Sequence, residues 1–528
     1  MQKYLLYYLF LFTVVTGFYF LYSYFNLSGN QFVYPIDDAY IHLAIAKHFG
    51  ESGFWSINSG SFDSASSSIL YTLILSSLIK LFGDYLYYPM VINIAAGFVT
   101  VYWIFRFFND FYSQRELKLG LFLFLPVSLL YVMVMLGMEQ TLHMMLSVMA
   151  VYFIKKNFET NFQKSDFVRL LIIVFFLGMV RFESMFFVVC LIFLLMIEKR
   201  FKESLMILLA GFFPILVFGL ISVQNGGFFF PNSVIIKGSY PEGNVLMSIW
   251  KIFQKGILLN VSFYKLFLFP LICIFIYLMN KYRNQGFKTV IIKEKLLFLI
   301  LATIILQSLF AMIKYRYESY LMVMLILVVI PIAVEFFKSK KRNIGFFIFT
   351  ISFIGFCAVG LYRFAYSHPV IKVSSKNIEE QQMEMGRFLH RFYKGKKVVA
   401  NDIGAIAYFG ETQLLDIVGL GSTDVAKFYV ENKGLGEIDF NKKYHQFLSN
   451  YIEKNDYKVA VIYPKWFPNK VPKTWIPVAS WKIENNLGTA QDRVVWYAVR
   501  KADASTLRQN LARFDLNKNV TCYFYLNK

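Results

Sequence analysis

The chain has 528 residues, of which 57% are hydrophobic, 19% aromatic and only 16% charged, against a soluble average of roughly 45–50% apolar and about 25% charged. This composition excludes an ordinary soluble globular protein. The net charge of +21, from 54 Lys plus Arg against 33 Asp plus Glu, would point to nucleic acid in a soluble chain; a polytopic membrane protein instead carries such an excess in its cytoplasmic loops, and on that reading nucleic acid is not a partner.

Apolar stretches of about 20 residues, the length that crosses a bilayer core of roughly 30 Å, recur from Tyr4 to about Leu361 and then stop. The first, 4–24, has no small-residue cleavage site and is read as a retained helix. Short basic segments at 155–169, 198–202, 281–295 and 338–342 are flanked by apolar runs and are placed in the cytoplasm. Working outward from them gives spans near 203–223, 260–280, 296–313, 318–337 and 343–363.

In the N-terminal half, counting 67–83 as a crossing would put Lys155 and Lys156 outside, and Arg106, Arg115 and Lys118 with them. The conflict disappears if residues 26–87 form one external loop with juxtamembrane helices at about 38–50 and 66–82. About eleven transmembrane helices result, with the N-terminus inside and the C-terminus outside; a signal-cleaved or dual-topology arrangement is the competing topology. Residues 1–363 are then a membrane domain and 364–528 an external α/β domain. In the latter, 376–393 has helical period, 397–400, 459–463, 478–483 and 493–499 read as strands, and 504–514 reads as a helix. Cys190, Cys273 and Cys357 lie in apolar runs and Cys522 stands alone, which implies no disulfide framework.

Ionisable residues in or beside apolar helices are costly and therefore mark candidate sites. Five groups qualify: Asp37 with Asp38, Glu139, Arg181 with Glu183, Asn232 with Lys237, and Arg316 with Glu318. The topology, fixed by the basic loops alone, places all five at the external face. Each also has a plainer role. Asp37 and Asp38 suit the start of the helix that follows them, and Glu139 suits pairing with an Arg of a neighbouring span. Arg181 and Glu183, like Arg316 and Glu318, are two residues apart and would not face each other on a regular helix. His42, His48 and His143 show no metalloprotease spacing and read as structural. The chemistry suggested is a general base beside an anion-binding pair of cations. Because nucleotide sugars are not expected outside, a lipid-phosphate donor fits best.

These residues resemble the GT-C superfamily of membrane glycosyltransferases that use polyprenyl-phosphate sugars, and within it the bacterial terminal arabinofuranosyltransferase type. Asp37-Asp38-Ala39-Tyr40-Ile41 is similar to the family's first-loop motif, and Ser67-Ser68-Ile69-Leu70-Tyr71 to the stretch after it, without its proline and tryptophan. Gly137-Met138-Glu139-Gln140-Thr141, Arg181-Phe182-Glu183, Pro231-Asn232-Ser233 with Lys237, and Arg316-Tyr317 follow in the family's order. In the external part, Asp402-Ile403-Gly404-Ala405 and Asp416-Ile417-Val418-Gly419-Leu420 resemble the family's paired Asp-Gly elements.

The resemblance implies a GT-C-like polytopic α-helical membrane protein of the bacterial inner membrane, with its site and its α/β domain on the periplasmic side. It further implies an inverting transfer of sugar from a polyprenyl-phosphate donor to a glycan, lipid or protein acceptor. Asp37 would be the base with Asp38 as its partner; Arg316 and Lys237, helped by Arg181, would hold the donor phosphate. Asp38 and Glu139 would orient acceptor or sugar, with Glu183, Asn232 and Glu318 also in the substrate-binding set, and Asp402 and Asp416 would meet the acceptor unless they only build turns. Some relatives bind a divalent cation near these acids, for which Asp37 and Asp38 are the candidate ligands. A lipid-glycan flippase or transporter, and an oligosaccharyltransferase acting on protein, stand as the alternatives.

Overall fold

Long apolar runs without water to solvate their backbone fold as helices, and the computed structural model of the chain, which describes residues 2–27, 32–237, 245–338, 343–467 and 469–526 (the side chains of Lys237 and Phe287 excepted), is helical over most of its length. Six helices are long and apolar enough to cross a membrane: Gln2–Tyr24, Tyr88–Phe111, Phe201–Gln224, Val261–Gln285, Ser319–Lys338 and Ile344–Tyr393. Shorter apolar helices, Ser184–Ile197 and Lys295–Phe310 among them, pack between these. Ser319–Lys338 is buried along almost its whole length and forms the bundle's centre. Gln2–Tyr24 exposes Leu6, Phe10 and Phe18, the apolar outer surface expected of a helix against lipid. Part of the basic segment at 338–342 lies outside the described residues.

The first long loop contains the two expected helices, Asp38–Ser52 and Ile69–Phe82. At 14 residues the second is about 21 Å long, too short for a bilayer core. Its Ser76 carbonyl lies against Gly50, where a Cβ would come within 2.7 Å, so the two helices touch backbone to backbone.

Residues 397–526 build a six-stranded sheet: β1 (Lys397–Ala400), β2 (Gln413–Asp416), β3 (Val459–Ile462), β4 (Ile476–Lys482), β5 (Arg493–Ala498) and β6 (Thr521–Phe524), in the order β2-β1-β3-β5-β4-β6. The β2, β1 and β3 strands are parallel, and β5, β4 and β6 are antiparallel to their neighbours. The four expected strands are present; β2 (Gln-Leu-Leu-Asp), which has no β-branched or aromatic residue, and β6, which is largely exposed, are additional. Alternation along the strands divides the core. Val399, Ala460 and Ile462 face a small cluster with Tyr444 and Leu448 of helix Glu437–Asn455. Val398, Ala400 and Val461 belong to a core continuous with that of the helical bundle.

Nothing in the backbone marks residue 363. A long helix runs from Ile344 to Ile378 with Pro369 inside it, passes through a π turn at Glu379–Met383 and continues as Glu384–Tyr393, so about 75 Å of helix leads into the sheet domain. Close packing inside the bundle depends on small residues: a Cβ on Gly178 would meet the Gly211 carbonyl oxygen at 2.2 Å, whereas one on Gly17 would meet nothing within 4 Å. Gly178→Val is therefore expected to lower the melting temperature of the detergent-solubilised protein by the equivalent of about 1–3 kcal/mol or more, and Gly17→Val to leave it unchanged; equal effects would disprove this packing.

Candidate active site

Asp37 and Asp38 are adjacent in sequence and have different surroundings. Asp37 sits just before helix Asp38–Ser52 but makes no capping hydrogen bond to it. Its carboxylate instead accepts from the backbone N–H groups of Gly404 (2.5 Å) and Ala405 (2.8 Å), the start of helix Gly404–Gly410 in the sheet domain. A Cβ at position 404 would lie 2.0 Å from the Asp37 carbonyl oxygen, so only glycine allows this approach. Asp37 also hydrogen-bonds to Asp402, which accepts from Gln382 Nε2 at 2.9 Å. Burial pushes the Asp37 carboxyl up; burial, then the charge of Asp37, pushes Asp402 well above the usual carboxylate range.

Asp38 faces a cavity of about 730 Å³ and forms an ion pair with Arg316. Arg316 is presented by a tight turn in which Tyr315 takes a left-handed φ of 54°. Arg363 braces that turn, donating to the Tyr315 carbonyl (3.4 Å) and to Glu318 Oε1 (3.0 Å). Glu318 is fully buried and lies behind the cavity wall, so the expectation that it meets substrate is corrected: it pairs with Arg363.

A second charged group lies across the cavity. Arg181 has extended backbone between helices Lys164–Val180 and Ser184–Ile197. This break lets it pair with Glu183, with Nε to Oε2 at 3.1 Å and Nη2 to Oε1 at 2.6 Å, a pairing that the regular-helix expectation denied. Its other arm meets Glu139, which also accepts from Ser67 Oγ at 3.2 Å and lies 3.1 Å from His42 Nε2. Glu139 is fully buried, and the plainer reading, pairing with a neighbouring Arg, is what it does. His42 was read as structural, but it lines the cavity one turn after Asp38; the four-residue spacing was the signal available for it. Tyr317 lies between the two guanidinium groups, 5.0 Å from that of Arg181 and 5.2 Å from that of Arg316.

Several other expected residues serve the architecture. Asn232 is buried; its N–H donates to the Ser64 carbonyl at 3.0 Å and its Nδ2 to the Leu420 carbonyl at 3.4 Å, joining first loop and sheet domain, while its neighbour Ser233 lines the cavity. The side chain of Lys237 lies outside the described residues. Asp416 is buried and accepts from the N–H groups of Val418 and Gly421, both at 2.8 Å. It is therefore a turn builder and not the acceptor contact allowed for it, and it holds the loop whose Leu420 reaches the cavity. Asp402, directed at Asp37, is likewise not an acceptor contact. Among the described residues no group of three His, Cys, Asp or Glu side chains is placed to hold a metal ion. Asp37 and Asp38, the candidate ligands, are directed to different partners, so the pair does not fit a shared cation.

Away from its charged end the cavity is apolar. Phe182, Met185 and Phe186 line it together with Leu209, Phe213 and Leu216 of helix Phe201–Gln224. The last three are also well exposed on the outer surface of the bundle, so the cavity opens sideways toward the lipid-facing side.

Residues 376–497 match a family model described as "Domain of unknown function (DUF8728)". No curated protein matches the chain in sequence. Among solved structures it is similar to ArnT from Cupriavidus metallidurans bound to undecaprenyl phosphate, with 12% identity and a TM-score of 0.52, and to ArnT from the same organism in the apo state, with 12% identity and a TM-score of 0.50; each comparison covers 94% of this chain and 98% of the other. The chain therefore has the ArnT fold over nearly its whole length, a multi-pass helical membrane domain followed by a small sheet domain, as the resemblance to the GT-C superfamily implied.

Two buried carboxyls near the junction of the first loop and the sheet domain favour their protonated forms. Burial pushes Asp63, which accepts from Ser56 (2.8 Å) and Thr423 (3.2 Å), from 3.8 up to about 6, and does the same to Asp416. Between those values the folded chain keeps protons that the unfolded chain has released, so stability falls as pH rises from about 4 to about 6. The melting temperature is expected to fall across that window, and less steeply in Asp63→Asn; an unchanged slope in the variant would disprove the assignment. Gly404→Val is expected to undock the sheet domain, seen as faster proteolysis between residues 393 and 413.

Proposed function

We propose that the protein is an integral-membrane glycosyltransferase that moves a sugar from a polyprenyl-phosphate donor to an envelope glycan, lipid or protein at the periplasmic face of the bacterial inner membrane. The observation that carries this reading is the two-part cavity: a charged end with Asp38, Arg316, Arg181 and Glu183, joined to an apolar slot open to the lipid side. A polyprenyl phosphate has the same two parts, and the solved ArnT structure with undecaprenyl phosphate supports it.

The donor tail lies in the slot beside Phe213 and Leu216, and its phosphate rests on Arg316. Asp38, which faces the cavity, takes the base role that the resemblance gave to Asp37. Its carboxylate accepts the proton of the acceptor hydroxyl as that oxygen bonds to the anomeric carbon. The bond from that carbon to the phosphate oxygen breaks, and the electron pair leaves with the polyprenyl phosphate, whose charge Arg316 stabilises. Attack from the side opposite the phosphate inverts the anomeric centre. Asp37 acts as the anchor of the sheet domain, and Glu139 holds Arg181 and His42 in place.

Mass spectrometry of envelope glycans from cells with and without the protein is expected to reveal the transferred sugar. Asp38→Asn should lower transfer by about a hundredfold or more while membrane levels stay normal. Full activity in Asp38→Asn would remove the base assignment; identical glycans in the two strains would remove the transferase reading.

A further inference from the structure

Between the spans Phe201–Gln224 and Val261–Gln285 lies a short helix, Val245–Phe253, that continues through a π turn at Gln254–Leu258. It meets the protein along a narrow stripe: Ser248, Ile252 and Gly256, four residues apart, are buried. At the end of that stripe a Cβ on Gly256 would lie 2.8 Å from Leu309 Cα, so the turn sits backbone against backbone on the end of helix Lys295–Phe310. The other faces do not suit water. Val245, Leu246, Met247, Ile249 and Trp250 are all exposed, Leu246 by 78% and Trp250 by 57%, and a contiguous apolar surface of this kind marks an interaction site. On the opposite flank of the stripe, Lys251 and Lys255 are exposed about one turn apart, and Lys265 is exposed near the start of the following span. From Val245 to Asn280 the sequence has these three lysines and no Asp or Glu, and none of the three is in an ion pair among the described residues. The segment also stands beside the cavity's lateral opening. Phe310 and Met312, just beyond the Gly256 contact, line the cavity and are well exposed, as are Leu209, Phe213 and Leu216 of helix Phe201–Gln224. The opening therefore lies between that helix and the end of Lys295–Phe310, and the 245–258 segment is packed on one of its two edges.

We propose that residues 245–258 lie flat in the membrane interface as a lipid-binding edge of the cavity opening, with the apolar face among acyl chains and Lys251 and Lys255 on the phosphates of anionic phospholipids. A helix with lysines on one flank and Trp and aliphatic side chains on the other seats in this plane, its apolar side sunk about 5–10 Å into the headgroup and acyl boundary. Tryptophan favours the same level, where its ring is apolar and its N–H is wet. Lys265, at the start of a span, reaches the same layer by extending along the helix. Because the segment is fixed to the end of Lys295–Phe310, its seating holds the opening at the depth where lipid phosphates meet acyl chains. On the transferase reading above, a polyprenyl-phosphate donor crosses into the cavity at that depth; the seating itself stands without that reading.

The test uses the purified full-length protein in vesicles of phosphatidylcholine and phosphatidylglycerol, with the signal of Trp250 taken as the difference in tryptophan emission between otherwise identical proteins with and without Trp250→Phe. Bromines on the upper part of the acyl chains are expected to quench that signal strongly, and aqueous acrylamide to leave it nearly unchanged. At fixed lipid composition, brominated phosphatidylglycerol should quench about fivefold more per molecule than brominated phosphatidylcholine, the preference that one lysine gives near an anionic surface. In Lys251→Gln/Lys255→Gln the ratio should fall to about one, whereas Lys518→Gln, in the sheet domain, should leave it unchanged; each variant is checked for an unaltered melting profile. Quenching by acrylamide without quenching by bromolipid would put the face in water and overturn the proposal. Quenching by neither would show that another protein surface, such as a second copy of the chain, covers it, and would overturn the proposal equally. A ratio of one in the wild type, or an unchanged ratio in the double lysine variant, would overturn the assignment of the two lysines to lipid phosphates. None of these outcomes depends on whether the chain transfers sugar.

Discussion

A charge at the apolar mouth of a helical bundle has to be matched, because burying an ion without a counter-charge or hydrogen bonds costs several kcal/mol. That constraint arranges the whole charged end of the helical bundle. Arg181 lies between Glu139 and Glu183, Arg363 holds Glu318, Arg316 meets Asp38, and the Asp37 carboxylate is satisfied by two backbone N–H groups from a domain more than 360 residues away in sequence. Within this set enclosure differs: Glu139 and Glu318 are fully buried, whereas the Asp38–Arg316 pair opens to the cavity.

The same requirement joins the two domains. Asp37 can be buried only because helix Gly404–Gly410 offers its first N–H groups, and that helix can approach only because residue 404 is glycine. Asn58 pairs with the backbone of Leu414 through both amide atoms, and Tyr408 donates to Asp84. The sheet domain thus reaches the cavity at one point: the turn built by Asp416 places Leu420 at its edge.

Much of this was legible beforehand. The break of character after Leu361, the two helices of the first loop and four strands follow from apolar run length and periodicity, which are local properties. The ordered polar groups led to the correct fold, since a chain tolerates ionisable residues among apolar helices only where a site or a partner requires them. Strands β2 and β6 were not legible: β2 has no β-branched or aromatic residue, and β6 is a largely exposed edge strand defined by its pairing with β4. Nor was the Arg181–Glu183 pair, because its geometry depends on a helix break that the sequence does not announce.

The sequence by itself determined that this is a helical membrane protein with a small α/β domain after it, and that Asp, Glu and Arg gather at one end, because hydropathy and charge act over short windows. Only the tertiary structure decided which of two adjacent aspartates faces the cavity. Successive residues on a helix point about 100° apart, so Asp37 and Asp38 cannot look the same way. Which of them meets solvent and which meets Gly404 depends on where a distant domain docks, and no local pattern encodes that.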